Sequence, residues 1–326
     1  MHKKLIISSS PHLRDDASTQ RIMQDVCIAM LPSALASVWF FGLRSALVIL
    51  LSVISAVVFE WLYCKVMKRE IPIGDFSAVV TGMLLAFNLP ATVPFWVPIF
   101  GSAIAIVLVK QFYGGLGQNF MNPALAARAI LAISFASIMT NFVVPQGGAW
   151  LQGLSAELID VKSSATPLAA VAAGDAQAYS LLDLFLGNVP GTLGETSKLA
   201  LLIGAAYLLW RREISWRIPV AFIGTAAVCF LIYTGFDVYA VAYQLLSGGL
   251  ILGAFFMATD YVSSPVTPWG QLIFGVGCGA LIFVFRALNP AMAEGCSFAI
   301  LLMNVAAPLI ERVTRPKSFG EVKSRA

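Results

Sequence analysis

The stretch "RSALVILLSVISAVVFEWLYC", residues 44–64, is an almost unbroken apolar run of the length that crosses a lipid bilayer. A transmembrane helix needs about 20 consecutive, mostly apolar residues. Ten such runs occur, five on each side of a polar gap at 145–198: 24–41, 44–64, 75–89, 94–110, 123–144, 199–211, 217–235, 239–258, 268–286 and 295–311. The sequence therefore predicts an all-α integral membrane protein with about ten transmembrane helices.

The composition excludes a soluble domain. Of the 326 residues, 59% are hydrophobic and only 12% are charged, whereas soluble domains carry about 25% charged residues. The net charge of +4 does not indicate nucleic-acid binding, because the basic residues lie at helix ends and form no single patch. The five cysteines include no C-x-x-C pair, so this chain alone does not hold an iron–sulfur cluster.

The distribution of Lys and Arg predicts the orientation in the membrane. Loops on the cytoplasmic side are enriched in both residues. If the N-terminus is cytoplasmic, 16 of the 21 basic residues, Lys110 among them, lie on that side, and four, Lys198 and Arg286 among them, lie outside. The organisation is then a cytoplasmic segment 1–23, a five-helix half 24–144, an extracytoplasmic loop 145–198, a second half 199–311 and a cytoplasmic tail 312–326.

Two five-span halves joined by one loop must have opposite topology, which predicts inverted repeats. Pro94, Phe100 and Gly101 recur as Pro268, Phe274 and Gly275 at one spacing of 174 residues. Ligands in such folds bind between the halves, where helices are broken. The expected breaks are "NLPATVP" (88–94) with its counterpart "TDYVSSPVTP" (259–268), and "YGGLGQNFMNP" (113–123) with "RALNPAMAEG" (286–295).

Four residues in or beside these segments are candidates for binding a ligand or an ion on the cytoplasmic side. Arg128 lies within a predicted span, where an arginine costs at least roughly 2.5–3.5 kcal/mol and needs an acidic, phosphate or carbonyl partner. Asn119 and Asn122 precede it in a Gly- and Asn-rich junction, and Asp260 ends the eighth span. The alternative is that the junctions are ordinary turns and that Asp260 is a solvated helix-end residue.

The polar gap is far longer than the usual 4–6 residues of a connection. It also contains many apolar residues, including Trp150, Leu154 and Phe185, so we expect it to pack on the outer face of the bundle. Within it, "DVKSSATPL" (160–168) presents hydroxyl groups among small neighbours before a proline.

The segment Asp160-x-x-Ser163-Ser164-Ala165-Thr166 resembles the flavin-attachment signature D-x-x-[ST]-G-A-[ST], with Ser164 where the commonest form has Gly. "GGLGQNFMNPALAAR" (114–128), "MATDYVSSPVTP" (257–268) and "EGCSFAILLMNVAAPLIER" (294–312) resemble the D subunits of Rnf electron-transport complexes. They also resemble the related B subunits of sodium-pumping NADH:quinone oxidoreductases. Length favours the Rnf family, since the quinone-reductase subunits usually carry a longer N-terminal extension.

The resemblance implies a urea-transporter-like fold in the bacterial inner membrane and FMN joined through a phosphodiester to Thr166 by a flavin transferase. It also implies riboflavin as a second, non-covalent flavin, for which Asn119, Asn122, Asp260 and Arg128 are candidate residues, the alternative being an ion path. The expected function is that of an electron-transfer subunit, not a complete enzyme alone, working between NADH and ferredoxin and coupled to Na⁺ or H⁺ translocation. The expected partners are Rnf subunits of the A, B, C, E and G types.

Two other functions remain open at this point. The quinone-reductase B subunit shares the flavin chemistry, and a urea-transporter-like solute channel shares the expected fold, which does not fix function.

Overall fold

The computed structural model describes residues 18–145, 165–173, 178–288 and 294–316. These residues form mainly helices, and Pro90 and Thr192 form an isolated antiparallel β-bridge. The helices are α1 Thr19–Phe41, α2 Leu43–Val66, α3 Ser77–Phe87, α4 Trp96–Gln111, α5 Pro123–Ser134, α6 Ala136–Met139, α7 Pro167–Ala172, α8 Leu181–Leu186, α9 Lys198–Arg211, α10 Arg217–Tyr233, α11 Val238–Leu246, α12 Leu250–Met257, α13 Pro268–Leu288 and α14 Cys296–Thr314. The predicted all-α membrane architecture is confirmed.

Helix lengths differ more than the ten predicted runs indicate. Four helices, α1, α2, α13 and α14, are long and apolar enough to cross a membrane, and α11 with α12 passes the same criterion as one span bent by 66°. Every predicted run contains a helix, but α3 has 11 residues and α5 has 12, which is too short to cross the hydrocarbon core alone.

Contacts between the halves agree with the inverted arrangement. Asp25 near the start of α1 pairs with Arg211 at the end of α9, with 2.8 Å between Oδ2 and Nη2. Arg128, midway along α5, contacts Ser297 in the first turn of α14. The first helices of the two halves therefore run antiparallel. We call the end of the bundle with the Asp25–Arg211 pair the basic end, and the end that carries α7 and α8 the loop end.

The spacing match between the halves does not correspond to equivalent packing. A Cβ on Gly101 would meet Leu85 and Leu131 of α3 and α5, whereas a Cβ on Gly275 would meet Ala221 and the backbone of Ile218 on α10. The recurrence of Pro, Phe and Gly at 174 residues is therefore not a reliable alignment of the repeats.

The non-helical segment that follows α3 is buried and is hydrogen-bonded to a second non-helical segment that precedes α9. The amides of Leu193 and Gly194 donate to the carbonyls of Leu89 and Phe87 at 3.0 and 2.9 Å. Residues 189–198, assigned from the sequence to the outer loop, lie inside the bundle. Non-helical backbone at this depth is tolerated only where protein surrounds it and satisfies its polar groups. The end of the predicted outer loop is therefore part of the core.

The second half breaks between α11 and α12, at 247–249, where Gly248 has φ +61°. The predicted counterparts "NLPATVP" and "TDYVSSPVTP" join α3 to α4 and α12 to α13, respectively, so each lies between the third and fourth helical segments of its half. At each break, an arginine side chain donates hydrogen bonds to the backbone carbonyls. Arg44 Nε donates to the Ala91 carbonyl at 2.9 Å, and Arg286 Nη2 donates to the Ser247 carbonyl at 3.0 Å.

Candidate functional sites

Thr166 is the N-cap of α7. Its Oγ1 accepts a hydrogen bond from the Ala169 amide at 3.2 Å, and Pro167 occupies the first helical position, a favoured start of a helix. The side chain is 6% exposed and lines a cavity of about 10 Å³. The resemblance implies that an enzyme reaches this hydroxyl; in the unmodified chain the hydroxyl is enclosed and caps α7. The motif residues Asp160, Ser163 and Ser164 lie outside the described residues.

Arg128 reaches the same site from the other half. Its Nη2 lies 3.3 Å from Glu294 Oε2, and its Nη1 donates to Ser297 Oγ. Glu294 and Thr166 line the same small cavity. The predicted need of Arg128 for an acidic partner is confirmed. Its assignment to the cytoplasmic group is wrong, because the side chain extends from α5 to the start of α14 at the loop end.

Five charged side chains surround Thr166 and the two helix breaks, at 88–94 and 247–249. Lys198 donates to the backbone carbonyl of Glu195, and Glu195 Oε1 accepts from the Thr192 amide at 3.3 Å. Lys198 and Glu195 are 1% and 6% exposed. Burial, together with the negative charge of Glu195, raises the pKa of Glu294 to about 7. When all are ionised, three cations (Arg128, Lys198, Arg286) face two carboxylates (Glu195, Glu294), so the cluster carries one net positive charge.

The other three candidate residues meet at the basic end. Asn119, Asn122 and Asp260 line one cavity of about 80 Å³. Asn122 caps α5, accepting from the amides of Ala124 and Leu125 at 3.0 and 3.3 Å. Asp260 is half-buried and accepts from Ser263 Oγ at 2.9 Å, and burial raises its pKa. The grouping of these three residues on one side of the bundle is confirmed.

A whole flavin does not fit this cavity as it stands. Ligand pockets are usually roughly 300–1,000 Å³, several times the volume between Asn119, Asn122 and Asp260. Asn119 and Asn122 also have structural partners, since their side-chain amides donate to the carbonyls of Met121 and Met257 at 3.0 and 3.4 Å. A second flavin or an ion path here stays a prediction, and we derive no step through it.

A buried ion pair adjoins the same cavity. Lys110 Nζ lies 2.7 Å from Glu60 Oε1 and 2.6 Å from Ser77 Oγ, and Gln111 Nε2 donates to Glu60 Oε1 at 2.8 Å. The side chains of Lys110 and Glu60 are 2% and 0% exposed. Sequence reasoning treated Lys110 as a flanking charge and did not single out Glu60. The available signal was an acidic residue inside the apolar run 44–64.

The described residues hold no group of three His, Cys, Asp or Glu side chains arranged to bind a metal ion. All five cysteines are free and none pairs with another.

Comparisons with known proteins agree with the resemblance. Residues 6–320 match the NQR2, RnfD, RnfE family. The chain is 48% identical over 323 residues to the D subunit of the Na(+)-translocating ferredoxin:NAD(+) oxidoreductase complex of Acetobacterium woodii, covering 98% of this chain and 96% of the relative. It is 41% identical over 329 residues to the D subunit of the proton-translocating ferredoxin:NAD(+) oxidoreductase complex of Clostridium ljungdahlii, covering 96% of each. The D subunit of the ion-translocating oxidoreductase complex of Salmonella paratyphi A is 36% identical over 348 residues, with 97% and 99% covered.

Proposed function

Because the chain belongs to the NQR2, RnfD, RnfE family, we propose that it is the flavin-carrying membrane subunit of an Rnf-type complex. This complex transfers electrons between NADH and ferredoxin and couples the transfer to ion translocation across the bacterial inner membrane. Its partners are the other Rnf subunits, which handle NADH and ferredoxin. The observation that supports this proposal is that relatives named as D subunits of ferredoxin:NAD(+) oxidoreductase complexes align with nearly the whole chain. One of these names specifies Na⁺ and the other specifies protons, so the proposal includes both Na⁺ and H⁺ as coupling ions.

Thr166 is the proposed attachment point of FMN. A bound flavin exchanges one or two electrons and so relays between one- and two-electron donors. A phosphodiester on Thr166 carries one negative charge, which balances the single net positive charge of the cluster. Arg128 and Lys198 compensate the phosphate charge in a site where water is scarce, and Glu294, which pairs with Arg128, lines the same cavity as Thr166. Since the hydroxyl is enclosed in the folded protein, the flavin transferase acts before the start of α7 packs against the bundle, or when the start of α7 moves away from the bundle.

The test is mass spectrometry of the peptide that contains Thr166, taken from protein expressed together with a flavin transferase. The expected peptide is heavier than the unmodified one by FMN less one water, with the modification assigned to Thr166. Protein expressed without the transferase is the control and should give the unmodified peptide. An unmodified peptide in both preparations would refute the flavin-carrying role.

The orientation is a separate part of the proposal, because the end that carries Thr166 must face outward. It rests on the distribution of basic residues, 16 on one side against four on the other. A reporter active only in the cytoplasm is expected to work when fused after Ala326 and to fail when inserted near Asp175. A reporter active only outside should give the opposite pattern. If both patterns were reversed, Thr166 would face the cytoplasm.

A further inference from the structure

The two carboxyl groups of the cluster around Thr166, those of Glu195 and Glu294, lie on the segments that precede α9 and α14. Both side chains line the same two small cavities, each of about 10 Å³. One cavity is shared with Thr166, and the other is shared with Asn88 and Met257. A cavity of this size holds about one water molecule. The two carboxyl groups therefore border the same water-sized spaces, where each disfavours ionisation of the other.

Glu294 is the member of this pair that can exchange a proton with water. Its side chain is 26% exposed, whereas Glu195 is 6% exposed and its Oε1 accepts from the Thr192 amide at 3.3 Å. Partial burial raises the pKa of Glu294 to about 7, and the negative charge of Glu195 adds to the rise, while Arg128 and Arg286 oppose it. A small change in the local charge therefore changes the protonation of Glu294 near neutral pH.

The charges of the described cluster balance an oxidised flavin but not a reduced one. Its cations are Arg128, Lys198 and Arg286, and a phosphodiester on Thr166 neutralises the single net positive charge of the ionised cluster. Each electron that the flavin gains adds one negative charge, and the ribityl chain and phosphate limit the distance of that charge from Thr166. A unit charge about 10 Å away, at an effective dielectric constant of about 20, changes a protonation equilibrium by about tenfold or more.

We propose that Glu294 takes up a proton when the flavin attached to Thr166 is reduced and releases it when the flavin is reoxidised. The inference rests on the proposed function. The flavin gains one electron from the partner subunits that handle NADH and ferredoxin, and the carboxylate of Glu294 gains one proton from water. The net charge of the site is then the same before and after reduction. Because Glu294 lies at the loop end, the proton returns to the side it came from and is not itself carried across the membrane.

The experiment compares the flavin midpoint potential of wild type and Glu294→Gln at two pH values, in full chains that carry flavin attached by the transferase. Glutamine has the shape of the protonated carboxyl group and does not ionise. At about pH 6, below the pKa of Glu294, the two potentials should agree. At about pH 9 the ionised Glu294 opposes reduction, so the wild-type potential should be lower by about 59 mV, which corresponds to a tenfold change for a one-electron couple. The potential is measured by titration of the flavin absorbance.

Infrared spectra of the reduced minus the oxidised protein detect the proton directly. Between these two pH values, wild type should gain the carbonyl band of a protonated carboxyl group, and the band should shift in D₂O. The band should be absent from Glu294→Gln. If Glu294→Gln does not retain flavin, the wild-type spectrum decides, because reduction without a new carboxyl band would overturn the inference.

Asp183→Asn is the matched control. Asp183 lies on α8 at the same end, where its carboxylate accepts from Ser180 Oγ at 2.6 Å, but it lines neither cavity. Loss of this charge should leave the pH dependence of the potential as in wild type. An equal pH dependence in wild type and Glu294→Gln would overturn the inference while leaving covalent flavin intact. Absence of covalent flavin from wild type would instead refute the proposed function, and the role of Glu294 with it.

Discussion

Replacing Thr166 by alanine is expected to abolish covalent flavin, and a complex that contains the variant should lose electron transfer between NADH and ferredoxin. The substitution removes Oγ1, the atom that would form the phosphodiester. Because Oγ1 also caps α7, the variant loses about 1 kcal/mol of helix stabilisation, which is too little to prevent insertion and folding. In-gel fluorescence after denaturation measures the flavin, and the amount of assembled complex is measured on the same preparations.

Two variants separate loss of the attachment atom from loss of a helix cap. Thr166→Ser keeps both a hydroxyl and a cap and should retain labelling. Ser180→Ala removes the equivalent cap of α8, where Ser180 Oγ accepts from the Asp183 amide at 3.1 Å, and should leave labelling unchanged. Fluorescence that survives denaturation in Thr166→Ala would place the flavin on another residue.

Much of the fold is predictable because it depends on local sequence. Apolar runs place all ten segments, and the pairs Asn122–Pro123 and Thr166–Pro167 each begin a helix as an N-cap followed by proline. The buried breaks are not predictable in this way. Residues 189–198 are rich in Gly, Pro and Thr and read as loop, but they pair with the end of α3. A Cβ on Gly194 would lie 2.2 Å from Phe87 Cβ, a constraint that only the folded structure reveals.

The sequence identifies the candidate residues individually, but it does not predict which of them lie together in the folded protein. Arg128 was identifiable as an arginine inside a span, and Thr166 by its motif. Their connection passes through Glu294, which is 166 residues from Arg128 in sequence, and no local pattern links the three. Lys110 and Lys198 were counted as flanking charges because a hydropathy pattern cannot distinguish a lysine that reaches water from a buried, paired one. In the structure their side chains are almost completely buried.

The buried pair at the basic end gives the second large expected effect. Lys110→Met should markedly lower the unfolding temperature, because it leaves the Glu60 carboxylate 0% exposed with only Gln111 donating to it. Glu60 Oε2 already has no partner among the described residues. Breaking a buried pair by removing one partner costs about 3–5 kcal/mol. A thiol-reactive fluorophore can report the unfolding on heating, since the Cys64 thiol is buried and lies 4.0 Å from Gln111 Oε1.

The double variant Glu60→Gln/Lys110→Met tests whether the uncompensated charge causes the loss. Glutamine removes the charge and keeps the side-chain length, so the unfolding temperature should return most of the way to wild type. Arg211→Met breaks the pair with Asp25, in which the arginine side chain is 32% exposed, and should cost clearly less, since water screens the remaining charge. Equal unfolding temperatures for the single and double variants would show that Lys110 stabilises the bundle by packing. The Glu60–Lys110 charge pair would then have no stabilising role at the basic end.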